Sequence, residues 1–300
     1  MNIGAITIDF QKKIGAHSIR YGIDGQFNSL KSKAFRTNVV TGAETSQTTR
    51  YPNGDNTMNT MALYFSNTFE LSPVVSLNYG ARVGGSWLYA SFKDKTFYPF
   101  PFDEVRQNNL VASSFAGIVY TPSSWKLSFT GSSGYRAPNI DDLAKVFETT
   151  PGSVIVPNPD LGPEQTINGD LGITKFFGSV FRAEGNFYAT QFTNAIVTLP
   201  STFLGSATVV YDGVTSNVLA NQNKGKAYIY GYSLALRADI TKRLAATATY
   251  NYTYGRVKNE FDTETPLDHV APAFGRVGLQ YNTARFRSRT LHKFQCLETC

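Results

Sequence analysis

No stretch of about 18 apolar residues occurs anywhere in the chain, so it contains no membrane-spanning helix. Charged residues make up 17% of the 300 positions, well under the usual quarter. Histidine is scarce. His17, His269 and His292 stand far apart in sequence and show no metal-ligand spacing. None stands by a nucleophile in a catalytic motif, and no glycine-rich phosphate loop is present, so no enzymatic activity and no resident cofactor are expected. The net charge of +6 is dispersed, without the basic stripe that nucleic-acid binding requires. Met1-Asn2-Ile3-Gly4 leads directly into a strand-like pattern, with no basic and apolar leader. For an exported protein, the expectation is that a leader lies upstream.

What the chain does have is aromatics (14%), 25 glycines and a soluble-looking mean hydropathy of -0.21. Hidden in that average is strict alternation. Ile19, Tyr21, Ile23, Gly25 and Phe27 share one face; Ser18, Arg20, Gly22, Asp24 and Gln26 share the other. Leu77, Tyr79, Ala81 and Val83 likewise oppose Asn78, Gly80 and Arg82. Ala248, Tyr250 and Tyr252 oppose Thr249 and Asn251. About twelve such strands can be read, with boundaries good to a few residues.

The links between them alternate in length. Long ones follow Asn28, Tyr89, Ala137, Val197 and Arg256; short ones lie near Gly15, Pro73, Pro122, Gly178 and Lys242. One rim therefore carries long loops and the other tight turns, the asymmetry of outer-membrane barrels. The polar face carries Arg20, Asp24, Arg82, Lys126, Arg182, Glu184, Arg237 and Asp239, too many charges for a dry core. A water-filled lumen accommodates them. The fold class is all-β: a partial antiparallel transmembrane β-barrel of about twelve strands, facing outer-membrane lipid.

One polar insert breaks the rhythm. It opens at Gly134-Tyr135-Arg136-Ala137-Pro138 and closes at Asn158-Pro159-Asp160-Leu161-Gly162-Pro163-Glu164. Pro138 ends the strand before it, and Asn158-Pro159-Asp160 initiates a turn. Ile140 to Phe147 reads as a short helix-like piece. These paired motifs resemble those of the TonB-dependent outer-membrane receptors. Tyr21-Gly22-Ile23-Asp24 is similar to a recurrent strand of that family, and Asp268-His269-Val270-Ala271-Pro272 with Gly275-Arg276 to the segment before its last strands. The resemblance implies the C-terminal part of a 22-stranded plugged barrel, placed in the outer membrane of a Gram-negative bacterium. It implies a plug, a TonB box and a signal peptide upstream. It also implies uptake of a scarce nutrient complex such as a ferric siderophore, heme or cobalamin, driven through the TonB complex. Heme-uptake members carry a histidine between the paired motifs; none stands between Ala137 and Asn158. Two other readings are a passive channel or structural barrel, and a secreted β-sandwich binding module.

Candidate ligand contacts are Arg136, with a lumen salt bridge as its alternative role, and the aromatics Phe97, Tyr98, Phe100 and Phe102, which can stack on a substrate or simply pack the loop. Tyr135, Arg136, Ala137, Pro138, Asn158, Pro159, Asp160 and Leu161 form the family motif. Asp141, Asp142 and Glu148 can bind a cation or merely favour a helix start. Residues 1–287 read as barrel. Residues 288–300, which include Cys296 and Cys300, lose the alternation and read as an aberrant tail. Back-translation with one base dropped near Ser288 restores an alternating strand, so we expect a shift of reading frame there and no regular final strand.

Overall fold

A computed structural model describes residues 1–47, 49–93, 95, 102–211, 213–258, 263–267 and 270–296. In chain order the strands are β1 (Asn2–Ile14), β2 (His17–Lys31), β3 (Phe35–Thr37), β4 (Glu44–Ser46), β5 (Asp55–Ser72), β6 (Val75–Ser91), β7 (Glu104–Tyr120) and β8 (Trp125–Arg136). After the helix α1 (Ile140–Leu143) come β9 (Phe147–Thr150), β10 (Ser153–Val156), β11 (Glu164–Phe177), β12 (Phe181–Pro200) and β13 (Thr208–Tyr211). The chain closes with β14 (Val214–Asp239), β15 (Leu244–Lys258), β16 (Glu264–Pro266), β17 (Phe274–Asn282) and β18 (Arg287–Gln295).

Twelve of these form one antiparallel wall in the order β1-β2-β5-β6-β7-β8-β11-β12-β14-β15-β17-β18. Every neighbour in the wall is a neighbour in the chain's hairpin order, as alternating short and long links demand. A continuous sheet of this kind rules out the β-sandwich. Among the described residues β1 pairs only with β2 and β18 only with β17, so the wall is open.

Register shows the two faces directly, because residues opposite one another share a face. Ile8, Ile23, Leu63, Val83 and Ala112 form one row across five strands. Phe129, Leu171, Phe187, Tyr232 and Tyr252 form another. Both rows lie on the outward, lipid-facing side, where Leu63, Phe65, Val83 and Phe129 are exposed. Inward, the charges pair as a wet lumen allows. Arg20 donates to Asp9 at 2.8 Å, Tyr64 to Asp9 at 2.6 Å, and Arg82 to Asp24. Arg182 pairs with Glu184 at 2.5 Å and Arg237 with Asp239 at 2.7 Å.

The short turns hold as expected. Gly15 (φ 57°) and Gly178 (φ 62°) take the left-handed conformation that tight turns ask of glycine. At the other rim the strands run further than expected. β5 begins at Asp55 rather than near Met61, and β7 at Glu104 rather than Leu110. The Ser/Thr/Gly-rich stretch expected as a loop from about Pro200 to Lys224 is largely β13 and the upper part of a 26-residue β14. Val209, Val210, Tyr211, Val214 and Val218 suit pleated pairing despite their polar neighbours.

The tail also departs from expectation. Arg287–Gln295 pairs along β17 from Asn282↔Arg287 to Phe274↔Gln295, so a final strand does form. Backbone pairing with β17 holds it, while its faces fit poorly: Ser288, Thr290 and His292 lie opposite the lipid-facing Tyr281, Leu279 and Val277.

Candidate functional site

The insert between β8 and β11, residues 137–163, packs against the long-loop ends of β6, β7 and β14. Asn139 caps α1: its side chain accepts from the Asp142 amide at 2.9 Å while the Asp142 carboxylate accepts from the Asn139 amide at 3.0 Å. The helix is shorter than expected. It stops at Leu143, and Phe147–Thr150 instead pairs with β10. β10 then runs parallel to upper β14, from Ser153↔Asn217 to Val156↔Ala220.

A hydrophobic cluster lies beneath. Ile140, Leu143, Ala144, Val146, Val154, Val156 and Leu161 of the insert meet Leu88, Ala90 and Val105 of β6 and β7, and Val218 and Ala220 of β14. β7 and β14 are separated in the wall by β8, β11 and β12. The insert therefore bridges a chord of the barrel mouth, and burial of its apolar face at roughly 25 cal/mol per Å² holds it down. We call it the cap.

The family motif fastens the cap. Asn158 Nδ2 donates to the Asn221 carbonyl at 2.7 Å, and Asn158 Oδ1 accepts from the Asp160 amide at 3.1 Å, closing the turn. Asn221 Nδ2 donates in turn to the Asp142 carbonyl at 2.9 Å. Pro159 and Asp160 are exposed at the turn tip, while Leu161 is buried and its carbonyl accepts from Gln107. Gly162 and Asn223 exchange two bonds, 2.6 Å and 2.9 Å. Pro138 is buried, and Ala137 half-buried beside it. Tyr135 turns inward to Arg82, where β7 and β8 part above Ser114↔Ser133.

Arg136 joins the two ends of the insert. It pairs with Asp142 at 2.6 Å and with Glu164, whose other oxygen accepts from the Ile196 amide at 2.7 Å. Asp141 bridges outward, accepting from Arg50 at 2.8 Å and Lys145 at 3.0 Å. Partial burial raises the Asp141 carboxyl, but hydrogen bonds from Lys145 and Arg50 outweigh it, and the group sits below its ordinary range. Arg50 also lies over the Phe147 ring at 4.7 Å. Glu148 accepts from the Gly152 amide at 3.2 Å. The three acids thus serve turn, helix and ion pair, and among the described residues no acidic or histidine cluster could hold a metal.

Phe102 is half-buried against the cluster, edge-on to Phe92 at 5.3 Å. Phe97, Tyr98, Phe100, Asp268, His269 and Cys300 lie outside the described residues. Residues that composition alone did not single out complete the site: Gln107, Asn221 and Asn223 fasten the cap from β7 and β14. Beside it, a cleft of about 440 Å³ opens between the β3–β4 hairpin and the cap, lined by Lys33, Phe35, Tyr51, Phe92, Lys93 and Val146.

This wall and its fastened insert find their match in one family model, described as the TonB dependent receptor-like β-barrel, which covers residues 3–294. The chain belongs to the TonB-dependent receptors. As a member of that family it is a β-barrel protein of the Gram-negative outer membrane. The iron-regulated outer membrane virulence protein of Vibrio cholerae serotype O1 is 22% identical over 273 residues, which are 90% of this chain and 37% of the relative. The chain thus spans little more than a third of that curated relative. In structure it resembles the copper transporter OprC (TM-score 0.74, 16% identity, 97% of this chain and 42% of that one). It also resembles the Serratia marcescens hemophore receptor HasR, solved with its hemophore and heme (TM-score 0.69, 15% identity, 97% and 50%). At these identities the likeness is one of fold.

Proposed function

We propose that this TonB-dependent receptor barrel is the C-terminal wall of an importer for a scarce, large metal complex: a ferric siderophore, heme or a cobalamin-type ligand. A plug and TonB box on a segment outside this chain couple it to the TonB complex. The observation that carries the reading is the cap. A polar lumen behind an insert pinned across the mouth suits regulated entry of a bulky solute, whereas a passive channel gains nothing from obstructing its own opening. The cleft between the β3–β4 hairpin and the cap, with Phe35, Tyr51 and two lysines, is the capture surface we assign. Arg136 acts by keeping the insert closed on itself rather than by holding the ligand. The relatives named above concern iron, copper and heme, and support a metal-complex cargo in that general sense only.

The test is growth of cells expressing the complete receptor, with and without TonB, under iron limitation when supplied with ferric siderophores or heme and under cobalamin starvation when supplied with cobalamin. Rescue by one ligand that is lost without TonB supports the proposal. Equal permeation of small solutes in both strains supports the passive channel instead.

We propose also that the segment from Ser288 carries a shifted reading frame. Its polar residues Ser288, Thr290 and His292 on the lipid side support this. A repeatedly confirmed frame through Cys300 would remove the idea.

A further inference from the structure

Between β7 and β8 the wall is joined only in its lower part. The two strands pair from Tyr120↔Leu127 up to Ser114↔Ser133 and no further. At that top pair the Ser114 amide donates to the Ser133 hydroxyl at 3.0 Å. β8 ends at Arg136, three residues past it, whereas β7 runs ten residues past it to Glu104. On its other side this upper part of β7 stays paired with β6 without a bulge, from Arg82↔Ser113 to Ser91↔Glu104.

The direction of the free backbone groups follows from the neighbours. Asp103 and Thr121 bond to Phe92 and Val74 on the β6 side, so the odd-numbered residues of β7 turn their N–H and C=O groups to β6. Even-numbered residues turn theirs the other way, as Ser114 does. Among the described residues, no backbone partner meets Arg106, Asn108, Leu110 or Ala112 on that side. Leu110 shows the missing neighbour: it is 86% exposed, against 61% for Leu63 and 51% for Val83 on fully paired strands. From within, the cap closes this slot, because Gln107 donates to the Leu161 carbonyl and Val105 is buried in the cap cluster. Trp87 and Tyr89 stand opposite Asn108 and Arg106, so the slot opens at the level where aromatic side chains meet headgroups.

An edge of this kind specifies its occupant. Donors and acceptors that repeat at every second residue are matched by another extended chain, which neither a lipid nor a small solute can imitate. Sheets that avoid such pairing carry proline or a charge on the edge, and Asn108, Leu110 and Ala112 supply neither.

We propose that the upper edge of β7, Arg106 to Ala112, is a strand-addition site for an extended polypeptide segment of a partner protein at the cell surface. The added strand runs antiparallel to β7, in the line that β8 leaves. An apolar side chain opposite Leu110 and a polar one opposite Asn108 continue the outward face. The site is independent of which cargo is imported.

The probe is a synthetic peptide with blocked ends that copies Gly84–Ser91, the sequence already paired antiparallel with β7 from the β6 side. Hydrogen exchange is read at single amides of the complete receptor. Without peptide, the amides of Arg106, Asn108 and Leu110 should exchange fast and those of Gln107 and Asn109 slowly. Saturating peptide should slow the fast set by about tenfold, which is what one ordinary backbone hydrogen bond gives. N-methylation of alternate peptide nitrogens should abolish the effect in one phase and preserve it in the other, because only one edge of the peptide meets β7. Asn108→Pro removes one slot-facing donor at a position where an edge strand tolerates proline. That variant should keep heat-modifiable mobility and lose the peptide effect. The site would be overturned by slot-facing amides already protected in the free receptor, by no slowing with peptide, or by equal slowing with both methylated peptides.

Discussion

Asn158 donates its side-chain amide to the carbonyl of Asn221 at 2.7 Å, joining residues 63 positions apart. Asn221 is buried, and its own side chain answers Asp142 at 2.9 Å and Thr198 at 2.9 Å. A motif residue is thereby tied to the extended end of a wall strand. Asn221→Leu should leave the Asp142 carbonyl without its partner and cost about 1–3 kcal/mol of cap stability. Hydrogen exchange at Val154 to Val156 should accelerate while wall amides stay unchanged. Exchange that rises equally throughout would mean the residue supports the barrel rather than the cap.

The ion pairs of Asp141 make the cap acid-sensitive. Its carboxyl is held below its ordinary value of 3.8, so its contribution is complete above that pH and is lost as pH falls through the lower folded-state value. Because Asp141 and Arg50 are partly exposed, the contribution is on the order of 1 kcal/mol or less. Protease cleavage within the cap should increase as pH drops below that point, and Asp141→Asn should abolish the dependence. A wild-type profile identical to that of the variant would contradict this.

Facing can be tested on adjacent residues of β15. Ala248 shares the lipid face with Val277 and Leu236, whereas Thr249 lies opposite Arg276 and Ala235 on the inward face. Arg at position 248 should cost about 2–4 kcal/mol, if it lies near the midplane, and Arg at 249 much less. Equal losses in refolding titrations would reverse the assignment.

The pattern of period two was enough to read the wall, because water on one side and lipid on the other constrain every second residue. Above the lipid that constraint ends. Asn56, Ser86, Ser91, Ser216 and Asn221 are buried polar residues in strand segments that were expected to be loop or lay near predicted strand ends. There the strands are held by pairing and by contact with the cap, which local sequence does not record. Phe147 likewise left the expected helix because Phe147–Thr150 found a partner in β10, and β-branched Thr149 and Thr150 favour that exchange. The cap motifs were recognisable as a pair, but their fastening partners Gln107, Asn221 and Asn223 are distant in sequence and ordinary in type.

The 300-residue chain expressed alone should not insert stably. The outer edges of β1 and β18 are unpaired among the described residues, and each unsatisfied backbone group facing lipid costs several kcal/mol. Folding trials in detergent or lipid should give no heat-modifiable band for this chain, in contrast to the complete receptor. A band like that of the complete receptor would show that the two edges close on each other.

The measurement that bears most directly on the wall and cap is cysteine labelling in intact cells carrying the complete receptor. Val40, 89% exposed at the tip of the β3–β4 hairpin, stands at the long-loop rim, and Ser123 lies in the short turn between β7 and β8. With a membrane-impermeant reagent, Val40→Cys should label from outside and Ser123→Cys should label only after the outer membrane is opened. Labelling of Ser123→Cys in intact cells, with Val40→Cys protected, would contradict the orientation and with it the placement of the cap over the outer mouth.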